Sequence, residues 1–497
     1  MKRYILLLFV LTGLSNGVDA AAFENKGNNK QIEIASPGPD GFPVLISGAI
    51  PVTVNAYHPE SPVRQMTYSC FVDGKKLFTG RRLTQATDWS WKDMIHLPNR
   101  PVGKTVRIKA TAVFSNGERI EKEVSFTYHA RADLVDLREN WDNLAGNASH
   151  TGRSVSAVDP PLQMAWTVNI GALIERTSPV VHQGRIYLAS IDQGRKSKAY
   201  LYALDSQTGN LRWKYPVIHS VKNTIVVEDS AVYAQTVDGS LHAIKTVDGS
   251  LKWGTQLHVS DHSPLTDGLA IANGVLYAGT GTGLCALNAR NGKVLWENTA
   301  WSQGEATAAT LTVGANRLIG SAQGLGLYGN DATTGELKWH LDRNGITQRA
   351  ASPALHGGLL YVTSAQSLFI IDAATGLIIV RRTYPFDLSV TSTPLLTDRL
   401  IVFGSADNGL VAVDRETLDV EWQFAVPQAI ETSPVLSGNT IYFGASDGNL
   451  YGVDKDSGQQ VWQHPTGAPV LASVAISGNA LIAVDFGGNV YAFTTKR

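Results

Sequence analysis

The sequence predicts an all-β protein in which a closed ring of eight four-stranded sheets follows a smaller β-sandwich. Three observations lead to this prediction. First, a pattern like that of residues 201–213, LYALDSQTGNLRW, recurs to the end of the chain. Second, its apolar residues alternate at the two-residue period of a β-strand on both sides of a turn rich in Asp and Gly. Third, it recurs every 40 to 47 residues, the length of a β-propeller blade with four short strands.

Each repeat closes with a large residue, which we expect to pack between neighbouring blades. Val380 is the exception in a series of tryptophans: Trp166, Trp213, Trp253, Trp296, Trp339, Trp422 and Trp462. From Trp213 onward a Gly stands four positions before the closing residue, except where Leu418 replaces it. An Asp stands four positions earlier still in most repeats. We expect this Asp to accept hydrogen bonds from the turn's own backbone and the Gly to adopt a positive φ.

Composition limits the class of partner. The 497 residues include 42 basic and 43 acidic side chains, whereas nucleic-acid binders usually carry a clustered basic excess. We therefore expect no nucleic-acid partner. The two cysteines, Cys70 and Cys285, fall in different predicted domains and are interpreted as buried apolar residues.

The N-terminus has the layout of a secretory signal peptide, predicted over residues 1–20. Lys2 and Arg3 precede an apolar run over residues 4–14, and small residues follow at 18–22. The run is too short to span a bilayer, which needs about 20 apolar residues, so we expect no transmembrane segment. Because no Cys lies near the cleavage region, we expect a periplasmic or secreted protein that is not a lipoprotein.

Residues 31–130 carry strand patterns throughout. Asp73-Gly74 and Asn116-Gly117 are strong hairpin turns, and about 100 residues with several such strands favour a small immunoglobulin-like β-sandwich. Trp89 and Trp91 are interpreted either as core residues or as an exposed contact pair.

Residues 131–161 lose the strand periodicity and are predicted to form an ordered linker, since Trp141, Leu144 and His150 could dock on a neighbouring surface. The propeller is predicted over residues 162–497. Residues 162–168 supply a closing strand without the rest of its blade, and the C-terminal strands lack a closing strand. Joining the two fragments closes the ring, removes its open sheet edges and predicts a monomer.

The repeats that end at Trp213, Trp339 and Trp462 resemble the pyrroloquinoline-quinone (PQQ) type repeat, over residues 162–497. This resemblance implies an eight-bladed propeller. The family includes quinoprotein dehydrogenases and the non-catalytic scaffold of the β-barrel assembly machinery in the Gram-negative outer membrane. In the dehydrogenases the quinone lies over a Trp, beside a vicinal Cys-Cys disulfide and a calcium ion held by carboxylates and an amide. The sequence has no Cys-Cys pair, so we expect no cofactor; the alternative is a PQQ-dependent dehydrogenase.

The candidate binding residues stand near the start of each blade's innermost strand. A Ser or Thr marks this start: Ser178, Thr224, Ser263, Thr307, Ser352, Thr393, Ser433 and Ser473. The residues two positions earlier should line one mouth of the central channel: Arg176, Lys222, Asp261, Glu305, Ala350, Thr391, Glu431 and Leu471. Two interpretations stay open, solvated charges or a funnel that binds a protein, a peptide or a small molecule.

No residue pattern assigns a catalytic or metal-ligating role. The histidines lack the spacing of a metal site such as HExxH. The sequence therefore favours an exported, non-catalytic binding or scaffold protein.

Overall fold

The computed structural model describes residues 30–36, 49–85, 90–97, 104–127, 135–192, 198–257, 268–280, 283–299, 309–322, 326–341, 351–466 and 468–496. In these residues the chain forms forty β-strands, a 3-10 turn at Leu144–Gly146 and no α-helix. The predicted all-β class is confirmed.

The first eight strands form two four-stranded antiparallel sheets. They are β1 (Gln31–Ser36), β2 (Ala49–Tyr57), β3 (Val63–Val72), β4 (Lys75–Arg82), β5 (Thr84–Gln85), β6 (Ser90–His96), β7 (Thr105–Phe114) and β8 (Arg119–Thr127). The sheet orders are β1-β2-β6-β5 and β4-β3-β7-β8. An immunoglobulin sandwich orders its strands in the same way, which supports the predicted immunoglobulin-like class; the class itself stays a prediction.

This N-terminal pair of sheets packs against the rest of the chain. Trp91 is buried between the sheets, whereas Trp89 lies outside the described residues. The hydrophobic cluster that contains Trp91 and Val54 continues through Trp141 to Val490 and Tyr491. The N-terminal sheets and the end of the chain therefore share one core.

The other strands form eight four-stranded antiparallel sheets, which are the blades. The strand β9 (Leu162–Asn169) precedes them in the chain. Blade 1 contains β10 (Val180–His182), β11 (Arg185–Ala189), β12 (Ala199–Asp205) and β13 (Leu211–Val217); blade 2 contains β14 (Val226–Glu228), β15 (Ala231–Gln235), β16 (Ser240–Lys245) and β17 (Leu251–Gln256); blade 3 contains β18 (Ala270–Ala272), β19 (Val275–Gly279), β20 (Leu284–Asn288) and β21 (Val294–Asn298); blade 4 contains β22 (Thr312–Gly314), β23 (Arg317–Ala322), β24 (Gly326–Asp331) and β25 (Leu337–Leu341).

The second half of the ring continues the same order. Blade 5 contains β26 (Ala354–His356), β27 (Leu359–Ser364), β28 (Ser367–Asp372) and β29 (Ile378–Thr383); blade 6 contains β30 (Leu395–Leu396), β31 (Leu400–Gly404), β32 (Leu410–Asp414) and β33 (Val420–Phe424); blade 7 contains β34 (Val435–Ser437), β35 (Thr440–Gly444), β36 (Asn449–Asp454) and β37 (Gln460–Pro465); blade 8 contains β38 (Ala475–Ser477), β39 (Ala480–Val484), β40 (Asn489–Thr495) and β9.

Blade 8 closes the ring as the sequence predicts. The strand β9 pairs antiparallel with β40, with Trp166 opposite Ala492. The innermost strands β38 and β10 lie side by side, and the backbone N–H of Ser473 donates to Ser178 Oγ across this seam at 3.0 Å. Because the first and last propeller strands share one sheet, neither leaves an unpaired edge at the seam.

The closing Trp of one blade packs beneath the turn of the next blade. Its indole Nε1–H donates to a backbone carbonyl there, as between Trp339 and Ala373 at 3.0 Å. The repeat's glycine lies directly on the ring, since a Cβ on Gly376 would come within 2.6 Å of Trp339 Cδ2. Gly376 also has a φ of +74°. The glycine is therefore required both by the turn conformation and by the space that the Trp fills.

One junction between blades is built differently. It contains both the residue that replaces the closing Trp and the residue that replaces the Gly of the turn. Val380 replaces the Trp in blade 5, and Leu418 replaces the Gly in the turn of blade 6. Leu418 and Val380 lie in the same hydrophobic cluster, and the Tyr384 hydroxyl donates to the Leu418 carbonyl at 3.0 Å. A leucine side chain and a tyrosine hydroxyl thus replace the packing and the hydrogen bond of the Trp.

Candidate functional site

One end of the central channel is closed by residues 135–161, which we call the strap. The strap crosses the ring and contacts the innermost strands or their adjoining turns. Its contacts with blades 1 to 5, 7 and 8 include hydrogen bonds, and with blade 6 Arg153 forms an ion pair with Asp398 at 3.0 Å. One bonding pair for each of these seven blades is Trp141–Val181, Asp142–Val227, Asn143–Ile271, Ala148–Val313, Ser149–Leu355, Gly152–Leu436 and Asp136–Asn479. Most of these bonds use backbone atoms, so the strap satisfies polar groups that the innermost strands would otherwise leave unpaired.

Two strap side chains reach into the ring. Leu144 is buried and lines the channel from the strap side. His150 is fully buried, and its Nδ1 lies 3.1 Å from the Pro353 carbonyl and 3.2 Å from Thr312 Oγ1. Burial lowers the pKa of His150 to about 4, although the bond to the Pro353 carbonyl acts in the opposite direction. His150 is therefore neutral at pH 7.

His182 of blade 1 lies beside the strap and has a hydrogen-bond acceptor at each of its two ring nitrogens. His182 Nδ1 lies 2.7 Å from Asp142 Oδ1 on the strap, and its Nε2 lies 2.9 Å from the Asp229 carbonyl. Burial alone would lower the pKa of His182, but these acceptors raise it above its ordinary value. The imidazole therefore ties the strap to blades 1 and 2.

A pocket lies in the channel between the strap and the opposite mouth. Its cavity volume is about 30 Å³. Its walls come from seven blades, which places it on the axis of the ring, and Leu144 of the strap adds to its lining. The lining residues are Leu144, Arg176, Ser178, Asn223, Thr224, Ala309, Thr310, Ser352, Thr391, Glu431, Ser433, Leu471 and Ser473.

Hydroxyl side chains join successive blades around this pocket. The backbone N–H of Thr310 donates to Ser352 Oγ at 2.9 Å, and that of Ser433 donates to Ser473 Oγ at 2.8 Å. Thr393 and Ser433 repeat the arrangement at 3.1 Å. The Ser and Thr residues of the predicted strand starts therefore link neighbouring blades.

The two predicted cations of the mouth differ in their surroundings. Lys222 Nζ lies 3.4 Å from Glu175 Oε2, and the two side chains are only 13% and 23% exposed. Arg176 lines the pocket and is partly buried. Its Nε is buried without a hydrogen-bond partner among the described residues. Arg176 thus has unmet hydrogen-bonding capacity.

Glu431, the predicted anion at blade 7, is held in place by hydrogen bonds. Glu431 is 4% exposed, and its Oε2 accepts hydrogen bonds from the Thr391 backbone N–H at 2.9 Å and from Thr391 Oγ1 at 2.8 Å. Arg176, Thr391, Glu431 and Leu471 all line the one pocket. The pocket therefore has a cationic side at blade 1 and a carboxylate at blade 7.

The sequence register of two blades differs from the structure. The innermost strands of blades 3 and 4 begin at Ala270 and Thr312, so the positions two residues earlier hold Gly268 and Thr310 and not the Ser263 and Thr307 chosen from the sequence. Both strands therefore begin later in the chain than the register assumed, as insertions between strands allow.

Three predicted mouth residues, Asp261, Glu305 and Ala350, lie outside the described residues. Their place at the mouth stays a prediction. The signal peptide predicted over residues 1–20 also lies outside the described residues.

Sequence reasoning missed Asn223, which joins blades 2 and 4. Its Oδ1 accepts hydrogen bonds from the Thr224 backbone N–H at 2.7 Å and from Thr310 Oγ1 at 3.1 Å. Gly268 makes room, because a Cβ there would lie 2.1 Å from Thr310 Oγ1. In the sequence, the signal for Asn223 was its position directly before Thr224, and this signal is too weak to identify a pocket residue.

Two kinds of feature are absent from the described ranges. No group of three or more His, Cys, Asp or Glu side chains is arranged to hold a metal ion. No helix in this part of the chain is long and apolar enough to cross a membrane.

Fold and repeats together define the class as a PQQ-repeat β-propeller. A family model described as outer membrane protein assembly factor BamB matches residues 151–379 and 326–497. The chain therefore belongs to this family.

Several relatives match part of the chain, among them the following two. The outer membrane protein assembly factor BamB of Moranella endobia is 25% identical over 234 residues, 44% of this chain and 56% of that protein. The serine/threonine-protein kinase AfsK of Streptomyces coelicolor is 26% identical over 173 residues, 34% of this chain and 20% of the kinase. The chain thus spans about half or less of the length of these relatives.

Solved structures share the fold. BamB from Moraxella catarrhalis superposes with a TM-score of 0.54 at 19% identity, over 68% of this chain and 99% of that chain. Quinohemoprotein alcohol dehydrogenase from Comamonas testosteroni gives 0.61 at 15% identity, over 73% of this chain and 82% of the enzyme. At these identities the likeness establishes the propeller and leaves its use open.

Proposed function

We propose that the protein is an exported, non-catalytic scaffold of the bacterial envelope that binds a protein or peptide at the open mouth of its channel and serves outer membrane protein assembly. The observation that carries this proposal is family membership over the whole propeller. The pocket supports it, because its lining is a mixed set of charges, hydroxyls and one amide in a concavity. We place the protein in the periplasm after removal of the N-terminal signal peptide.

The alternative, a PQQ-dependent dehydrogenase, is supported by the fold shared with such an enzyme. The pocket residues do not fit that cofactor. The described lining contains neither a Trp nor a Cys, and Cys70 and Cys285 are buried in β3 and β20, away from the channel. Glu431, the lining carboxylate, is bonded to Thr391. We therefore retain the non-catalytic function.

The function is tested by capturing a named partner. The tagged protein is expressed in a Gram-negative host, cross-linked and purified, and components of the β-barrel assembly machinery are quantified by mass spectrometry. We expect capture, and we expect the charge reversals Arg176→Glu, Lys222→Glu and Glu305→Lys to weaken it by disturbing complementary charges.

The matched control is Arg153→Glu, which reverses a charge on the strap side of the ring. Undiminished capture by the three mouth variants would move the contact to another surface. Absence of the assembly machinery from the captured material would refute the proposed partner class.

A second experiment addresses the enzyme alternative. The purified protein is mixed with pyrroloquinoline quinone and calcium, and reduction of an artificial electron acceptor is followed with alcohol and sugar substrates. We expect none. Stoichiometric uptake of the quinone together with substrate-dependent reduction would establish the dehydrogenase.

A further inference from the structure

The wall of the pocket at blades 1 and 2 has unmet hydrogen-bonding capacity. Arg176 Nε is buried without an acceptor among the described residues. The nearby Lys222 differs, because Glu175 neutralises it at 3.4 Å. A guanidinium presents planar donors that match the two oxygens of a carboxylate. Arg176 is thus the group on this wall that is prepared for an anion.

A second observation points to the same wall. Thr224 lines the pocket and is 2% exposed, yet its Oγ1 has no hydrogen-bond partner in the described part of the chain. Its backbone N–H is bonded to Asn223 Oδ1, so the residue is fixed in position. Leaving a buried hydroxyl unpaired costs free energy, and a ligand oxygen would satisfy it.

The rest of the pocket limits the shape of the ligand. Leu144 of the strap lines the pocket from one end, so we expect a ligand to enter from the mouth. Glu431 supplies negative charge at blade 7, and Leu471 of blade 8 stands between Glu431 and Arg176 in ring order. A second anionic group on the ligand would be repelled at blade 7. The pocket therefore suits one terminal carboxylate with an uncharged or N–H-bearing body.

We propose that Arg176 and Thr224 form a carboxylate-binding subsite, which takes the C-terminal carboxylate of a peptide or a free small carboxylate. This inference deepens the proposed function, since it names the group recognised at the mouth. It also stands on the pocket alone, so it can be tested without a cellular partner.

The test uses the purified full-length protein and three probes: N-acetyl-trialanine with a free C-terminal carboxylate, the same peptide amidated at its C-terminus, and acetate. Binding is measured by calorimetry in the millimolar range. We expect the free-acid peptide to bind and the amide to bind at least about ten-fold more weakly, because a hydrogen bond to a charged group contributes about 1.5–3 kcal/mol. Acetate separates the two sources: binding of acetate shows that a small carboxylate suffices, and binding of the peptide acid alone assigns a peptide terminus.

Three variants locate the subsite. Arg176→Gln should weaken binding of the free-acid peptide at least about ten-fold, and Thr224→Val, which preserves shape, about two- to ten-fold. Arg153→Gln on the strap side should leave binding unchanged. Melting temperatures establish that each variant is folded.

Different results would overturn the subsite and the proposed function. Equal binding of the acid and the amide, undiminished binding by Arg176→Gln, or no binding of either carboxylate probe by the wild-type protein would each overturn the subsite. Carboxylate binding without capture of the assembly machinery would keep the subsite and refute the proposed function; capture without carboxylate binding would do the reverse.

Discussion

The two ends of the channel are built from different parts of the polypeptide. At one end the strap joins the blades through hydrogen bonds in which one or both partners are backbone groups, such as those between Trp141 and Val181 at 2.7 and 3.0 Å. At the other end side chains such as Arg176 and Glu431 line the pocket. Backbone bonds are available to almost any sequence, whereas the chemistry of the mouth depends on individual residues. We therefore expect stability to depend on the strap end and recognition to depend on the mouth.

The largest effect is expected at the anchor of the strap. Trp141 is 4% exposed, so Trp141→Ala should lower the free energy of unfolding by about 3–5 kcal/mol, as for other emptied Trp sites. Urea unfolding measures this loss. The control is Leu211→Ala, at a residue 52% exposed, which should change stability by less than about 0.5 kcal/mol. Equal effects of the two variants would mean that the strap is not an anchor.

Acid should weaken the strap end through His150. The folded-state pKa of about 4 lies below the ordinary 6.5, so the unfolded chain binds the proton more tightly. The stability from neutral His150 is complete above pH 6.5 and is lost as the pH falls towards 4.

Each unit of difference between the folded-state and unfolded-state pKa corresponds to about 1.4 kcal/mol in the free energy of unfolding. Between neutral pH and pH 4 the wild-type protein should therefore lose about 3 kcal/mol more than His150→Asn. Asn suits the φ of +55° at this position. Urea titrations at several pH values measure the difference. Parallel pH profiles would show that the His150 site does not couple to folding.

A smaller loss is expected for one strap hydrogen bond. The Tyr442 hydroxyl donates to the Val158 carbonyl at 2.5 Å. Tyr442→Phe should therefore cost about 1 kcal/mol, measured by thermal or urea unfolding. Tyr361 occupies the same register in blade 5, and Tyr361→Phe is the matched control. A larger loss in the control would contradict the assigned role of the bond.

The smallest effect on stability is expected at the mouth. Arg176 has no carboxylate partner among the described residues, so Arg176→Gln should change the free energy of unfolding by less than about 0.5 kcal/mol. Chemical unfolding of the same sample that is used for probe binding measures it. A loss comparable to that of Trp141→Ala would end the distinction between a stabilising end and a recognising end.

The sequence by itself determined the repeat and its closure. The Asp-rich turns are local, and their hydrogen bonds stay within a few residues: Asp205 Oδ1 accepts from the backbone N–H groups of Gln207 and Thr208 at 3.0 Å each. Such short-range features are legible because the interacting residues are close in the chain. The incomplete first and last blade fragments also predicted the seam, since an unpaired strand needs a partner.

Longer-range features were decided only in the tertiary structure. Val380 and Leu418 looked like two unrelated exceptions, but they meet in one cluster because neighbouring blades bring them together. The register of blades 3 and 4 depended on loop lengths, which the choice of a Ser or Thr could not reveal.

The site shows the same division. The sequence placed Arg176 and Lys222 side by side as equivalent cations, and only the structure gives Lys222 a carboxylate partner in Glu175. The strap was predicted as an ordered segment, but its path could not be read, because its bonds to the blades join residues as far apart as Asp136 and Asn479 and many involve backbone atoms. Backbone groups are the same in every residue, so the sequence carries no record of which of them will pair across the ring.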